Sequence, residues 1–251
     1  MVDRAARLTS FDAVAAATAI GDALAALGRP DRAIAERAYL KSDLDHVGTT
    51  VPDIRRVVKR FLRHHPDLTH AELVALADEL WSAPLHERRV AAVELLMARP
   101  RLLAVDDLAW IETLLRDSHT WALVDPLAGK VVARVVDEHA DGLAVLDRWV
   151  TDDDFWIRRS AVLALNLALR DGREVDRFVR YADLLLPERE FFIRKVLGWV
   201  ARELGKRQPD VVSAWLGRNL DRMNHVTLRE AVKYLPDGDQ IVSLWRRNKV
   251  G

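Results

Sequence analysis

Four short segments place an arginine at the head of a run of small and apolar residues: Glu87-Arg88-Arg89-Val90-Ala91-Ala92, Ile157-Arg158-Arg159-Ser160-Ala161-Val162, Ile193-Arg194-Lys195-Val196-Leu197-Gly198 and Leu228-Arg229-Glu230-Ala231-Val232. Their first arginines stand 70, 36 and 35 residues apart, so a missing copy belongs near residue 123. That place holds Trp121-Ala122-Leu123-Val124-Asp125-Pro126, which keeps the helix-like frame but replaces the cationic pair with Trp121 and Asp125. Cations recurring at a fixed period suit a polyanion, whose phosphates they would neutralise in a row. The same arginines could instead cap neighbouring helices or bridge carboxylates between repeats.

Other chemistries fail on spacing. The chain has no cysteine, which removes disulfides, Cys-ligated zinc, iron–sulfur clusters and thiol nucleophiles together. No two of the 11 glycines stand two or five residues apart, so neither the dinucleotide fingerprint nor the Walker loop can be written. Gly-x-Ser-x-Gly and His-Glu-x-x-His are both absent. The eight histidines, His64-His65 included, lack ligand spacing and read as helix-end or surface residues. No metal or cofactor is suggested.

The elements that must position the repeated cations are helices. Apolar residues recur at three- and four-residue steps, as in Leu73, Leu76, Ala77, Leu80 and Trp81, with no sustained alternation marking a strand. Breaks fall at Gly28-Arg29-Pro30, Gly48 to Pro52, Pro66, Pro84, Pro100, Asp171-Gly172, Pro187, Pro209 and Pro236-Asp237-Gly238. They divide the chain into about a dozen helices joined by short connections. The period resembles HEAT-type helical hairpins, so the expected fold is all-α: a single right-handed solenoid of antiparallel helix pairs over residues 1–251, with the arginine-bearing second helices lining a concave basic groove. With 50% hydrophobic and 30% charged residues the composition is that of a soluble folded protein, and a cytoplasmic location is expected. Met1 to Ile20 reads as an ordinary first helix, and no apolar run approaches a membrane span. The balance of 38 basic and 38 acidic side chains hides an asymmetry, net −4 over residues 1–150 and net +4 over 151–251, so a polyanion should favour the second half.

Several motifs in order resemble the AlkD-like DNA alkylation repair glycosylases, a family of HEAT-like repeats. Ala38-Tyr39-Leu40-Lys41, Val47-Gly48 and Pro52-Asp53-Ile54-Arg55 are similar to the family's N-terminal Tyr-x-Lys…Gly…Pro pattern. Leu80-Trp81 with Glu87-Arg88-Arg89 resembles its Leu-Trp…Glu-x-Arg turn, Trp121 to Asp125 its Trp-x-x-x-Asp, and Phe155-Trp156-Ile157-Arg158-Arg159 its Trp-x-x-Arg. The most specific match is Phe191-Phe192-Ile193-Arg194-Lys195 through Gly198-Trp199, and the similarity spans roughly residues 35 to 235.

The resemblance implies roles. Tyr39, Trp121 and Trp199 would present aromatic faces in the groove, Asp125 would be the catalytic carboxylate, and Arg159 would hold the DNA backbone beside the lesion. Lys195, Arg202, Lys206, Arg229 and Lys233 would add phosphate contacts to duplex DNA containing alkylated bases, bound by a monomer. Trp121 and Asp125, four apart, share one face of a helix, but Pro126 disfavours helical geometry at Asp125, placing the pair at a kink or in a first turn. The implied reaction is hydrolytic excision of cationic alkylpurines. The alternatives are a non-catalytic repeat protein binding damaged or branched DNA, and a scaffold for protein partners.

Overall fold

The computed structural model describes residues 11–250, so the part of the expected first helix before Phe11 lies outside the described residues. The chain divides into two compact units, Met1–Leu103 and Ala104–Gly251. The first holds α1 (Ala13–Ala25), α2 (Pro30–Leu40), α3 (Val51–His64), α4 (His70–Ser82) and α5 (His86–Ala98). The second holds α6 (Leu108–Arg116), α7 (Trp121–Pro126), α8 (Ala133–Glu138), α9 (Leu143–Trp149), α10 (Phe155–Ala164), α11 (Asn166–Arg170), α12 (Val175–Leu185), α13 (Phe191–Gly205), α14 (Pro209–Arg218), α15 (His225–Ala231) and α16 (Gly238–Val250). The fold is all-α and of the HEAT-like helix-pair type. No described helix is long and apolar enough to cross a membrane.

The repeat is more regular in the structure than in the sequence. The helices that carry the expected row, α5, α7, α10, α13 and α15, begin at His86, Trp121, Phe155, Phe191 and His225, steps of 34 to 36 residues. A helix does begin where the arginine spacing leaves a gap. Another copy, unforeseen, is α3, which begins 35 residues before α5 and bears Arg55-Arg56.

In the C-terminal unit a second ladder joins the first helices of the pairs. Glu112 on α6 accepts from Trp149 Nε1 at 2.7 Å, Asp147 on α9 from the Tyr181 hydroxyl at 2.7 Å, and Asp183 on α12 from Trp215 Nε1 at 2.7 Å. The three aromatics are among the largest fully buried side chains, so each bond satisfies the polar atom of a residue buried mainly for its apolar surface. The carboxylates are held in turn by arginines, Glu112 by Arg148 at 2.6 Å and Asp147 by Arg180 at 2.9 Å.

Two glycines of the family-like motifs are required by the backbone. Gly48 sits at φ +81°, and a Cβ there would meet the Arg29 carbonyl oxygen at 2.2 Å. Gly198 lets α13 and α15 close on each other, since a Cβ there would stand 2.7 Å from both Glu230 Cβ and the Thr227 carbonyl oxygen.

Two of the eight histidines depart from the expected surface positions. The His46 side chain is only 1% exposed, and His86, at the start of α5, is buried and stacks on it with ring centroids 4.5 Å apart. Burial pushes the His86 imidazole down to about 3. Their separation along the chain hid the pair from any reading of local ligand spacing.

Candidate active site

Asp125 is the fifth residue of α7, a helix whose first turn is fixed by the Thr120 side chain accepting from the Ala122 N–H. Pro126 does not end the helix. It takes helical angles, φ −69° and ψ −36°, and the chain widens into a π-helical turn over Leu127–Val132 before α8. A proline lacks the N–H and crowds the carbonyl four residues back, here that of Ala122, but the helical bonding resumes at the next residue, where the Leu127 N–H donates to the Leu123 carbonyl. Trp121 and Asp125 therefore keep the same-face relation that a continuous α-helix gives them.

The carboxylate has a single clear partner. Arg159 on α10 grips Asp125 with both prongs, Nε to Oδ1 at 2.8 Å and Nη2 to Oδ2 at 2.7 Å, while its Nη1 donates to the Phe192 carbonyl on α13 at 2.5 Å. The guanidinium also lies over the Phe192 ring, 5.9 Å from its centroid. Arg159 is 5% exposed, whereas the Asp125 side chain is 32% exposed. The expectation that Arg159 holds the DNA backbone is thereby revised: its N–H groups are directed inward to Asp125 and Phe192, and little of its surface is left for a phosphate. What it does is orient the carboxylate, since a fork-to-fork pair fixes the plane of both groups.

The second cluster centres on a residue that sequence reading passed over. Glu230 on α15 accepts from Lys195 at 2.6 Å, Arg202 at 2.7 Å and Lys233 at 2.9 Å. Burial pushes its carboxyl up, but the hydrogen bonds from Lys195 and Lys233 outweigh this and hold it at about 2. Three expected phosphate contacts thus converge on one acid. Lys206 bonds Glu203 at 2.8 Å and lies 4.9 Å over the Tyr234 ring, and Arg229 is exposed without an ion pair among the described residues. Trp199 is half-buried on α13, Trp121 is partly exposed at the head of α7, and Tyr39 is exposed on α2 in the N-terminal unit. The sequence held a signal for Glu230: it replaces the second cation of the repeated pair, as Asp125 replaces a cation in its own copy. An acid one repeat away from a cation is an invitation to bridge.

The N-terminal unit supplies cations that were not anticipated. Along α3, Arg55, Arg56, Lys59, Arg60 and Arg63 are all exposed. Arg55 pairs with Glu94 at 2.7 Å and Arg56 with Asp53, while Lys59, Arg60 and Arg63 make no ion pair among the described residues. With Arg55, Glu94, Met97 and Arg99, Lys59 and Arg63 edge a surface cavity of about 450 Å³ between α3 and the end of α5. The charge asymmetry placed at residue 150 also disappears at the structural boundary: residues 1–103 hold 15 Lys/Arg and 14 Asp/Glu, net +1, and 104–251 hold 23 and 24, net −1. A polyanion finds no reason in net charge to prefer the second unit. Among the described residues one group of three, Glu36, His46 and Glu87, has the geometry to hold a metal ion, and it is separate in residues and elements from the Asp125 centre.

The fold has counterparts among solved structures. A family model described as DNA alkylation repair enzyme matches residues 20–235. A predicted DNA alkylation repair enzyme from Enterococcus faecalis has a similar structure, with a TM-score of 0.76 and 20% identity, over 83% of this chain and 97% of that one. AlkD2 from Streptococcus mutans is similar with a TM-score of 0.59 and 16% identity, over 81% of this chain and 97% of that one. No curated protein matches the sequence. At these identities the solved structures speak for the fold, while the family model covers most of the repeats, the Asp125–Arg159 clasp and the Glu230 cluster included. The chain belongs to the DNA alkylation repair enzyme family.

Proposed function

We propose that the protein is a monofunctional DNA glycosylase that hydrolyses the N-glycosidic bond of cationic alkylpurines, of the N3-methyladenine and N7-methylguanine type, in duplex DNA. The observation that carries this reading is the Asp125 carboxylate, one-third exposed, locked in plane by a buried arginine and sharing a helix face with an exposed tryptophan.

The chemistry suits those groups. An alkylated purine already bears positive charge, so the C1′–N bond can break with its electron pair passing to the base, which leaves neutral without a general acid. Positive charge then develops on the deoxyribose as an oxocarbenium ion. A fixed carboxylate stabilises that charge and orients the water whose oxygen bonds to C1′, and the water's proton is released to the carboxylate or solvent. Arg159 is a positioning residue in this scheme, because it acts on the sugar only through Asp125. The face of Trp121 adds attraction to a cationic base, on the order of 0.5–2 kcal/mol. Phosphates would be met by the exposed side of Lys195 and Lys233, by Lys206 and Arg229, and by the α3 row. The protein is proposed to act as a cytoplasmic monomer.

Release of free base from methylated duplex DNA, with chromatographic identification of the product, tests the reading. Asp125→Asn should lower the rate by about 10²–10³-fold while duplex binding persists, because shape is kept and charge is lost. Base release at the wild-type rate by that variant removes Asp125 from the mechanism. No release by the wild-type protein, with salt-sensitive binding intact, leaves a DNA binder without glycosylase activity.

A further inference from the structure

The N-terminal unit buries a second group of chemistry-bearing side chains that the reaction above does not use. Glu36 on α2, His46 in the α2–α3 connection and Glu87 on α5 each offer one ligand atom, and the three atoms lie within 4.8 Å of one another. Glu87 is fully buried, and its carboxylate accepts from the backbone N–H groups of Val47 at 3.1 Å and Gly48 at 2.6 Å. Glu36 accepts from Arg32 at 2.8 Å through Oε1, and its Oε2 lies 3.9 Å from His46 Nδ1. That gap is too wide for a hydrogen bond.

The neighbourhood is rich in buried polar atoms that nothing satisfies. Glu36 Oε2, both ring nitrogens of His46, His86 Nδ1 and Arg32 Nε are all buried without a hydrogen-bond partner. Such atoms are rare in folded proteins. Glu36 Oε2 and the unprotonated ring nitrogen of His46 each hold a lone pair that a cation would accept, whereas Arg32 Nε is a donor with none to offer. The plane of the His46 ring is set by its stack on His86, so its nitrogens have a fixed direction. Two carboxylates and one imidazole form a donor set suited to a first-row divalent cation that keeps one or more coordination positions for water. Arg32 offsets one of the two negative charges, so the cluster retains the net charge that attracts a cation.

We propose that Glu36, His46 and Glu87 bind a first-row divalent cation, of which Zn²⁺ is the probe, and that the ion fastens the α2–α3 connection to α5. Ligand bonds of about 2.0–2.2 Å set tetrahedral ligand atoms roughly 3.4 Å apart, so the three atoms, now within 4.8 Å of one another, must draw together by up to about 1.4 Å. Glu36, at the rim of the cluster, is the residue free to do so.

The full chain, stripped with EDTA and exchanged into chelator-free buffer, is titrated with Zn²⁺ by calorimetry and melted with and without the ion. The expected result is one saturable site per chain and a Tm that rises with Zn²⁺ concentration. Glu36→Gln and His46→Gln should each weaken binding by about 10-fold or more and lose the Zn²⁺-dependent rise, each read against its own metal-free melt. Glu87 is left in place because its carboxylate also holds the Val47 and Gly48 amides. Co²⁺ provides a second readout: a visible absorption band that saturates at one ion per chain in the wild type and is missing in His46→Gln. The proposal is overturned if no saturable binding occurs, or if both variants bind as the wild type does, which would move the ion to exposed histidines such as His64.

Discussion

Two bridges link consecutive second helices of the C-terminal unit, and they face opposite ways. Between α7 and α10 the cation is buried and the acid is outward: the Arg159 side chain is 7% exposed and that of Asp125 is 32% exposed. Between α13 and α15 the acid is buried and the cations are outward: the Glu230 side chain is 9% exposed, and those of Lys195 and Lys233 are 43% exposed. The same pairing of charges, one repeat apart, therefore shows a ligand a negative group in one place and positive groups in the other. A sugar developing positive charge suits the first, and a phosphate suits the second. Which partner sinks into the core decides what chemistry the surface offers.

Breaking the first bridge should have the largest effect. Arg159→Ala leaves Asp125 without its clasp and the Phe192 carbonyl without its donor, and should cost about 2–4 kcal/mol in urea denaturation, less than for a fully buried pair because Asp125 reaches solvent. It should also lower base release, and Arg159→Lys, which keeps the charge but loses the fork, should restore stability better than it restores rate. Gly198→Ala tests the second bridge through its backbone. A methyl forced against Thr227 and Glu230 should separate α13 from α15 and destabilise the protein by about 1–3 kcal/mol.

Removing the outward cations should sharpen the contrast without unfolding anything. Lys195→Ala and Lys233→Ala should each change stability by less than about 1 kcal/mol, since their side chains are partly solvated. Each should lower the salt dependence of duplex binding by about one unit of the log–log slope, as Lys59→Ala should on α3, while Arg159→Ala leaves that slope unchanged. The last effect shows only in acid. Glu230 is held at about 2 against an ordinary 4.5, so its stabilisation is complete above the ordinary value and is lost as the pH falls from there through about 2. Glu230→Gln should flatten that part of the stability profile, measured by thermal melts from about pH 5 downward.

Much of this architecture was legible in the residues. The 35-residue step set the helix starts closely enough that a copy without arginines could be placed near residue 123, and α7 begins at Trp121. The row of cations was legible too, but its orientation was not, because a sequence shows the period of Arg159 and Lys195 and not which of them a partner helix covers. Bridging of carboxylates between repeats, the plainer of the two readings of those cations, describes Arg159 and Lys195 in the folded protein. The acid-to-aromatic ladder of Glu112–Trp149, Asp147–Tyr181 and Asp183–Trp215 escaped notice because Trp and Tyr alternate in one role and the spacing drifts. His46 and Glu87 escaped for a different reason: long-range proximity in a helical hairpin protein follows from packing, and no local motif records it.

The wide turn after Pro126 divides one continuous rod, Trp121 to Glu138, into two segments with separate angular phase. One residue more than an α-helix would use rotates everything downstream by on the order of 100° relative to what precedes it. Upstream, Trp121 and Asp125 would answer to the substrate of the proposed reaction; downstream, Ala133, Val135 and Val136 answer to the core. A rigid α-helix would tie those two demands to a single azimuth. With the wide turn as a coupling between them, a change in the buried half can be absorbed there without swinging the carboxylate, and the bearing of Asp125 becomes a quantity that the length of this one turn can tune.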